Sequence, residues 1–159
     1  MSEPQLHPDF KEFLSCLKRH GVRFLIVGAH AMAVLGRPRA TEDIDVLVEP
    51  TESNAARLGQ ALAEFGFPEH ASAAAEHFAV PDRMATLGRE PVRIDILSSI
   101  AGVTFAEAWQ GRVRAELSDM TLEVLGLAQM RATKRATNRP KDQLDLALLD
   151  ELQSELDGR

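Results

Sequence analysis

The feature that most restricts this chain is the stretch from Phe24 to Val48, FLIVGAHAMAVLGRPRATEDIDVLV. Phe24 to Val27 is a compact run of β-formers, too short to be a helix alone and closed by Gly28, which predicts a buried strand. Ala29 to Leu35 is rich in Ala, Met and Leu and stops at Gly36 with Pro38 beyond, the pattern of a short helix. Asp43 to Val48 then alternates acid and apolar residues before becoming wholly apolar. On a strand, residues i and i+2 share a face, so Asp43 and Asp45 project to one side and Ile44 and Val46 to the other.

Two carboxylates in that relation lie roughly 6 to 7 Å apart at Cα, close enough for their oxygens to converge on one hard cation. Without a cation they repel, and one pKa rises. A strand passing through a glycine into a helix also presents unpaired N–H groups at the positive end of the helix dipole, where phosphate binds. Gly28 read alone is a plain strand-to-helix turn, and D-x-D read alone is a solvated strand. Their ordered combination, with Arg39 and Thr41 just before the acids, points to a metal-dependent nucleotide site.

G-A-H-A-M-A-V-L-G-R-P-R-A-T-E-D-I-D-V-L-V resembles the signature of the nucleotidyltransferase (polymerase β-like) superfamily. Within it the pattern is most similar to small prokaryotic nucleotidyltransferases related to the abortive-infection type IV toxin enzymes. Gly28, Ala31, Gly36, Arg39, Thr41, Asp43 and Asp45 carry the likeness. Ala29 departs from it, since the superfamily usually has Ser or a second Gly there, and a hydroxyl contact to phosphate is lost while backbone contacts remain.

The chain has 159 residues, 45% hydrophobic and 26% charged, which fits one domain able to bury a real core. A net charge of −6 gives no general nucleic-acid footprint, so an RNA partner would need a local basic patch. No apolar run reaches the ~20 residues of a membrane span, and no signal-peptide pattern opens the chain. The single cysteine leaves no internal disulfide and makes the cytoplasm the expected compartment.

Along the chain, Phe10, Phe13, Leu14 and Leu17 form the stripe of a helix over 9–20, capped by Asp9 and ended by Gly21, with Cys16 as a filler beside it. A second amphipathic helix is expected over Glu52 to Phe65, ended by Gly66. Residues 69–77 show no strong period, and His70 and His77 read as surface residues. Short strands are expected at Phe78 to Val80 and Met84 to Leu87, with a turn at Gly88-Arg89-Glu90-Pro91 leading to a strand over Val92 to Leu97. There Arg93, Asp95 and Leu97 share a face, and Asp95 needs a partner: a cation, or an ion pair with Arg93 or Arg89. Thr104 to Gln110 reads as a short helix with Trp109 at its core or rim. A hairpin over Ser118-Asp119 and two helices broken at Asn138-Arg139-Pro140 follow, the last with a Leu144, Leu148, Leu149, Leu152 stripe.

The resemblance supplies roles for these residues. Asp95 stands where the superfamily places a third carboxylate completing the D-x-D site. K-R-A-T-N-R-P-K-D-Q-L-D is similar to a further element of the toxin-like enzymes, in which Lys134 would face nucleotide phosphates, Arg139 and Lys141 would line the site, and Asp142 and Asp145 would brace cations or cap the helix. The likeness covers about residues 24–152. The fold expected is α/β: a small mixed sheet of four to six strands, helices mainly on one side, and a C-terminal helical pair. A single domain is expected, with a core over 22–125 and C-terminal helices over 126–156.

The activity implied is transfer of a nucleoside monophosphate from a nucleoside triphosphate to a hydroxyl or phosphate acceptor. Asp43, Asp45 and Asp95 would hold two Mg²⁺ ions, or Mn²⁺, and with Lys134 form the catalytic set. Gly28, Ala29, His30, Arg39, Thr41, Arg139, Lys141 and Asp142 would bind nucleotide, although His30 reads equally as a neutral core histidine. The acceptor implied is tRNA, a protein or a small molecule, and a cognate toxin or antitoxin is an expected partner, with no membrane role. An inactive nucleotide-binding or antitoxin-like module is the alternative.

Overall fold

The computed structural model describes residues 6–36, 43–89 and 92–158. Its centre is the predicted pair of strands, β1 (Phe24–Val27) and β2 (Asp43–Val48), which run antiparallel with Phe24 opposite Val48 and Val27 opposite Asp45. All four β1 residues are buried, as a strand flanked on both edges requires. Outside them lie β3 (Met84–Arg89), β4 (Val92–Leu97), β5 (Val113–Leu117) and β6 (Met120–Val124), in the order β3-β4-β2-β1-β6-β5. β2 pairs with β4 and β1 with β6 in parallel, while the outer hairpins β3–β4 and β5–β6 are antiparallel. The sheet is therefore mixed, as expected. The β5–β6 turn falls on Ser118 and Asp119, both at positive φ, the conformation that matches strand twist in a two-residue hairpin.

The helices are α1 (Pro8–Arg19), α2 (Gly28–Val34), α3 (Glu52–Phe65), α4 (Ala71–His77), α5 (Phe105–Gln110), α6 (Leu127–Thr137) and α7 (Pro140–Asp157). Ile44, Val46, Ile94 and Ile96 enter one core with the apolar stripes of α1 and α3. Asn54 on α3 is fully buried, yet it accepts from the Arg23 N–H at 2.7 Å and donates to the Arg23 and Glu49 carbonyls at 3.0 Å each. Those three bonds tie α3 to the start of β1 and the end of β2 without leaving a buried amide unpaired.

Four expectations are corrected. Asp9 does not cap α1; Pro8 takes the first helical position, so the cap falls on His7, whose Nδ1 accepts from the Asp9 N–H at 3.1 Å. Phe78 to Val80 is not a strand, because Phe78 ends α4 with its side chain buried. Within residues 69–77, which show no strong period in sequence, 71–77 form that helix, which lies close to α3 because Gly59 has no side chain to strike the Ala71 carbonyl. Finally, Leu144 is 65% exposed, and the buried line of α7 is Asp142, Asp145 and Leu149. Two aspartates set the phase of that helix because their partner lies across it on α6.

Two glycines are demanded by the chain path. Gly21, at φ +67°, ends α1 and lets the Val22 N–H reach back to the Leu17 carbonyl at 3.0 Å. Gly28 serves the site and is treated below. Among the described residues no helix is long and apolar enough to cross a membrane.

The corrected phase of α7 is directly testable by thermal or urea unfolding. Leu149→Ala should cost about 2 to 4 kcal/mol, whereas Leu144→Ala should stay within about 0.5 kcal/mol of the parent. Equal losses would restore the leucine stripe.

Candidate functional site

The floor of the site is one face of the sheet at β2 and β4. Parallel pairing sets Asp45 opposite Asp95 and Asp43 opposite Arg93, so the three carboxylates and one guanidinium share a face. Gly28 lies under this cluster with φ +72°, and a Cβ built on it would run into the Asp45 carboxylate. Glycine is thus required twice, for the turn and for the space the acid occupies.

Burial, then the nearby Asp95 and Asp43 charges, push the Asp45 pKa up to about 6 against a weaker opposing pull from Arg93. Asp95 is 5% exposed and its oxygens are gripped from two strands. Thr86 Oγ1 on β3 donates to Oδ1 at 2.7 Å, while Arg93 Nε and Nη2 donate to Oδ1 and Oδ2 at 3.1 and 3.2 Å. The ion-pair reading of Asp95 is therefore realised with Arg93. It is not an edge contact, because β3 lies outside β4.

The facing wall is the α6–α7 corner. Lys134 Nζ reaches Asp145 Oδ2 at 3.0 Å and Asp142 Oδ1 at 3.5 Å, with the lysine side chain only 12% exposed. Asp142 closes the corner. It accepts from the Arg139 N–H at 3.0 Å, Arg139 Nε at 2.8 Å and Thr137 Oγ1 at 2.5 Å. The Arg139 guanidinium above all, with the Thr137 hydroxyl, holds the Asp142 carboxyl well below the usual carboxylate range. Of the two roles open to Asp142, helix capping is the one its bonds display.

Between floor and wall is a cavity of about 570 Å³, large enough for a small-molecule ligand. Gly28, Ala29, Asp43, Asp45 and Asp95 line it from the sheet side, and Lys134, Arg139 and Lys141 from the helices. Asp142 and Asp145 lie behind that lining and orient Lys134. His30 is also absent from the lining: its ring meets Phe10 of α1 edge-on at 6.0 Å, and burial lowers its pKa while the Asp43 backbone carbonyl opposes the shift. Arg39 and Thr41 lie outside the described residues.

Sequence reasoning gave Arg93 only as a structural partner of Asp95 and passed over Thr86, Thr133 and Met130. The two-residue spacing of Arg93 and Asp95 was the available signal. Nothing local marked the others, which reach the site through strand pairing and the fold of the C-terminal helices.

The donor set fits a hard divalent cation in chemistry, being carboxylate oxygens desolvated on one face and mutually repulsive. Among the described residues, no three such groups already surround one point as metal ligands do. The Arg93 fork on Asp95 satisfies oxygens a cation would need.

An Asp pKa raised by folding opposes stability above it. Between about pH 4 and 6 the folded protein binds more protons than the unfolded chain, so this group's penalty grows as pH rises and is complete above about pH 6. Asp45→Asn should therefore raise metal-free stability at pH 7.5 by about 1 to 2 kcal/mol, the gain shrinking as pH falls toward 4. Marked destabilisation of the variant at pH 7.5 would instead make Asp45 a structural ion-pair member.

No family model and no curated protein matches this sequence. Among solved structures, the chain is similar to a Thermotoga maritima protein provisionally assigned as a nucleotidyltransferase, with 16% identity and a TM-score of 0.50, over 94% of this chain and 91% of that one. At that identity the likeness speaks for the fold alone: the chain shares the α/β architecture of that protein, built on a six-stranded mixed sheet.

Proposed function

We propose that the protein is a metal-dependent nucleotidyltransferase that moves a nucleoside monophosphate from a nucleoside triphosphate to a hydroxyl or phosphate acceptor. The observation that carries this reading is the pairing within one cavity of a carboxylate floor, Asp43, Asp45 and Asp95, with a cationic wall, Lys134, Arg139 and Lys141. A nucleoside triphosphate with its cations needs both signs of charge at once, acids for the metal and bases for the phosphates.

Asp43 and Asp45, with Asp95 once it is released from Arg93, would hold Mg²⁺ or Mn²⁺. When bound, such ions lower the acceptor's pKa and neutralise charge on the triphosphate. Lys134, kept in place by Asp142 and Asp145, lines the cavity with Arg139 and Lys141, and the three supply its positive charge. The acceptor oxygen forms a bond to the α-phosphorus, the α–β bridging bond breaks, and pyrophosphate leaves. Where the acceptor is a hydroxyl, its proton passes to a carboxylate of the cluster or to water. Catalysis on this scheme is positioning and charge neutralisation.

The acceptor is proposed from the resemblance alone as tRNA, a protein or a small molecule, within a toxin–antitoxin pair in the cytoplasm. A second reading, a nucleotide-binding or antitoxin-like module that lost turnover, draws on Ala29 and on the Arg93 grip on Asp95.

Incubation with each labelled nucleoside triphosphate, Mg²⁺ and total cell RNA or lysate separates the two. Transfer of label is expected, falling about 100-fold or more in Asp43→Ala and disappearing with chelator. Nucleotide binding without transfer to any acceptor would favour the module.

A further inference from the structure

We propose that Arg93 is a triphosphate-binding residue which, when no cation is present, is held on Asp95 in the cation's place. This deepens the nucleotidyltransferase reading and rests on it.

Three observations carry it. First, Arg93 lines the same cavity as the acids and stands opposite Asp43 in the ladder, on the sheet face that carries all three carboxylates. Second, its two-pronged grip on Asp95, at 3.1 and 3.2 Å, satisfies both oxygens of a carboxylate that is 5% exposed. A guanidinium is the one side chain able to neutralise such a group in a planar, bidentate way, and it does the same for phosphate oxygens. Third, the Arg93 side chain is 36% exposed against 7% for Asp95, and Asp95 is also held by Thr86 from β3. When a divalent cation competes for Asp95, the more exposed Arg93 is the partner that gives way, and Thr86 keeps the carboxylate in place.

The direction of movement follows from charge. A guanidinium released from Asp95 still faces Asp43 and Asp45, which a bound cation would have neutralised. The negative groups then remaining in the cavity are those of the triphosphate. The exchange makes cation entry and triphosphate binding favour one another, since the cation frees the arginine and the triphosphate receives it.

The test uses the full chain and two probes that need no turnover, Mn²⁺ alone and inorganic tripolyphosphate with Ca²⁺. In Arg93→Gln, Mn²⁺ alone should bind several-fold more tightly than in the parent, because its internal competitor is gone. Tripolyphosphate should bind at least tenfold more weakly, because its partner is gone. Arg93→Lys keeps the charge but loses the fork and should fall between the two, which guards against a folding defect in the first variant; thermal melts of both complete the control.

Opposite shifts for the two probes support the exchange. Unchanged tripolyphosphate affinity in Arg93→Gln, with the parent binding both probes, would reduce Arg93 to a structural partner of Asp95 and leave the nucleotidyltransferase reading standing. A parent that binds neither probe would overturn both.

Discussion

Repulsion among three aspartates on one sheet face is the constraint that the rest of the site answers. Strand pairing alone forces it: once β2 and β4 run parallel in this register, Asp45 and Asp95 stand side by side with Asp43 one step away. A folded protein that brings like charges together in a half-buried cavity must pay in proton binding or supply a counter-charge. Here both occur. Asp45 is pushed up to about 6, and Arg93 from the same strand as Asp95 covers that carboxylate.

The neighbouring structure is shaped around this cluster. Gly28 gives the Asp45 carboxylate its room, so the β1–α2 turn and the acid are one unit. On the other wall, Lys134, Asp142 and Asp145 form a second charged cluster in which the lysine lines the cavity and the two aspartates do not. Burying two aspartates on α7 is costly unless they are paired, and their pairing fixes how α7 lies on α6. The two walls thus solve opposite problems: the sheet gathers negative charge into the cavity, and the helices use buried negative charge to aim a positive one.

Much of this was legible because it is local. The bounds of β1, β2, α3 and β4 follow from short runs with turn residues at their ends, and the period-two alternation of Asp43 to Val46 placed both acids on one face. Ser118-Asp119 announced its hairpin, and Gly21, Gly66 and Asn138 their helix ends. What escaped was set at a distance. α4 forms where Gly59, twelve residues earlier, admits the Ala71 carbonyl. Leu144 points outward because Lys134 draws Asp142 and Asp145 inward. Thr86 reaches Asp95 only through the β3–β4 ladder.

Proton release on cation binding probes the aspartate cluster most directly. Mn²⁺ added to the metal-free protein at pH 6 in weak buffer should displace protons, fewer at pH 8, and fewer from Asp45→Asn than from the parent at pH 6. Binding with no proton release at pH 6, or no saturable binding at all, would contradict a carboxylate cluster built to be neutralised by a divalent cation.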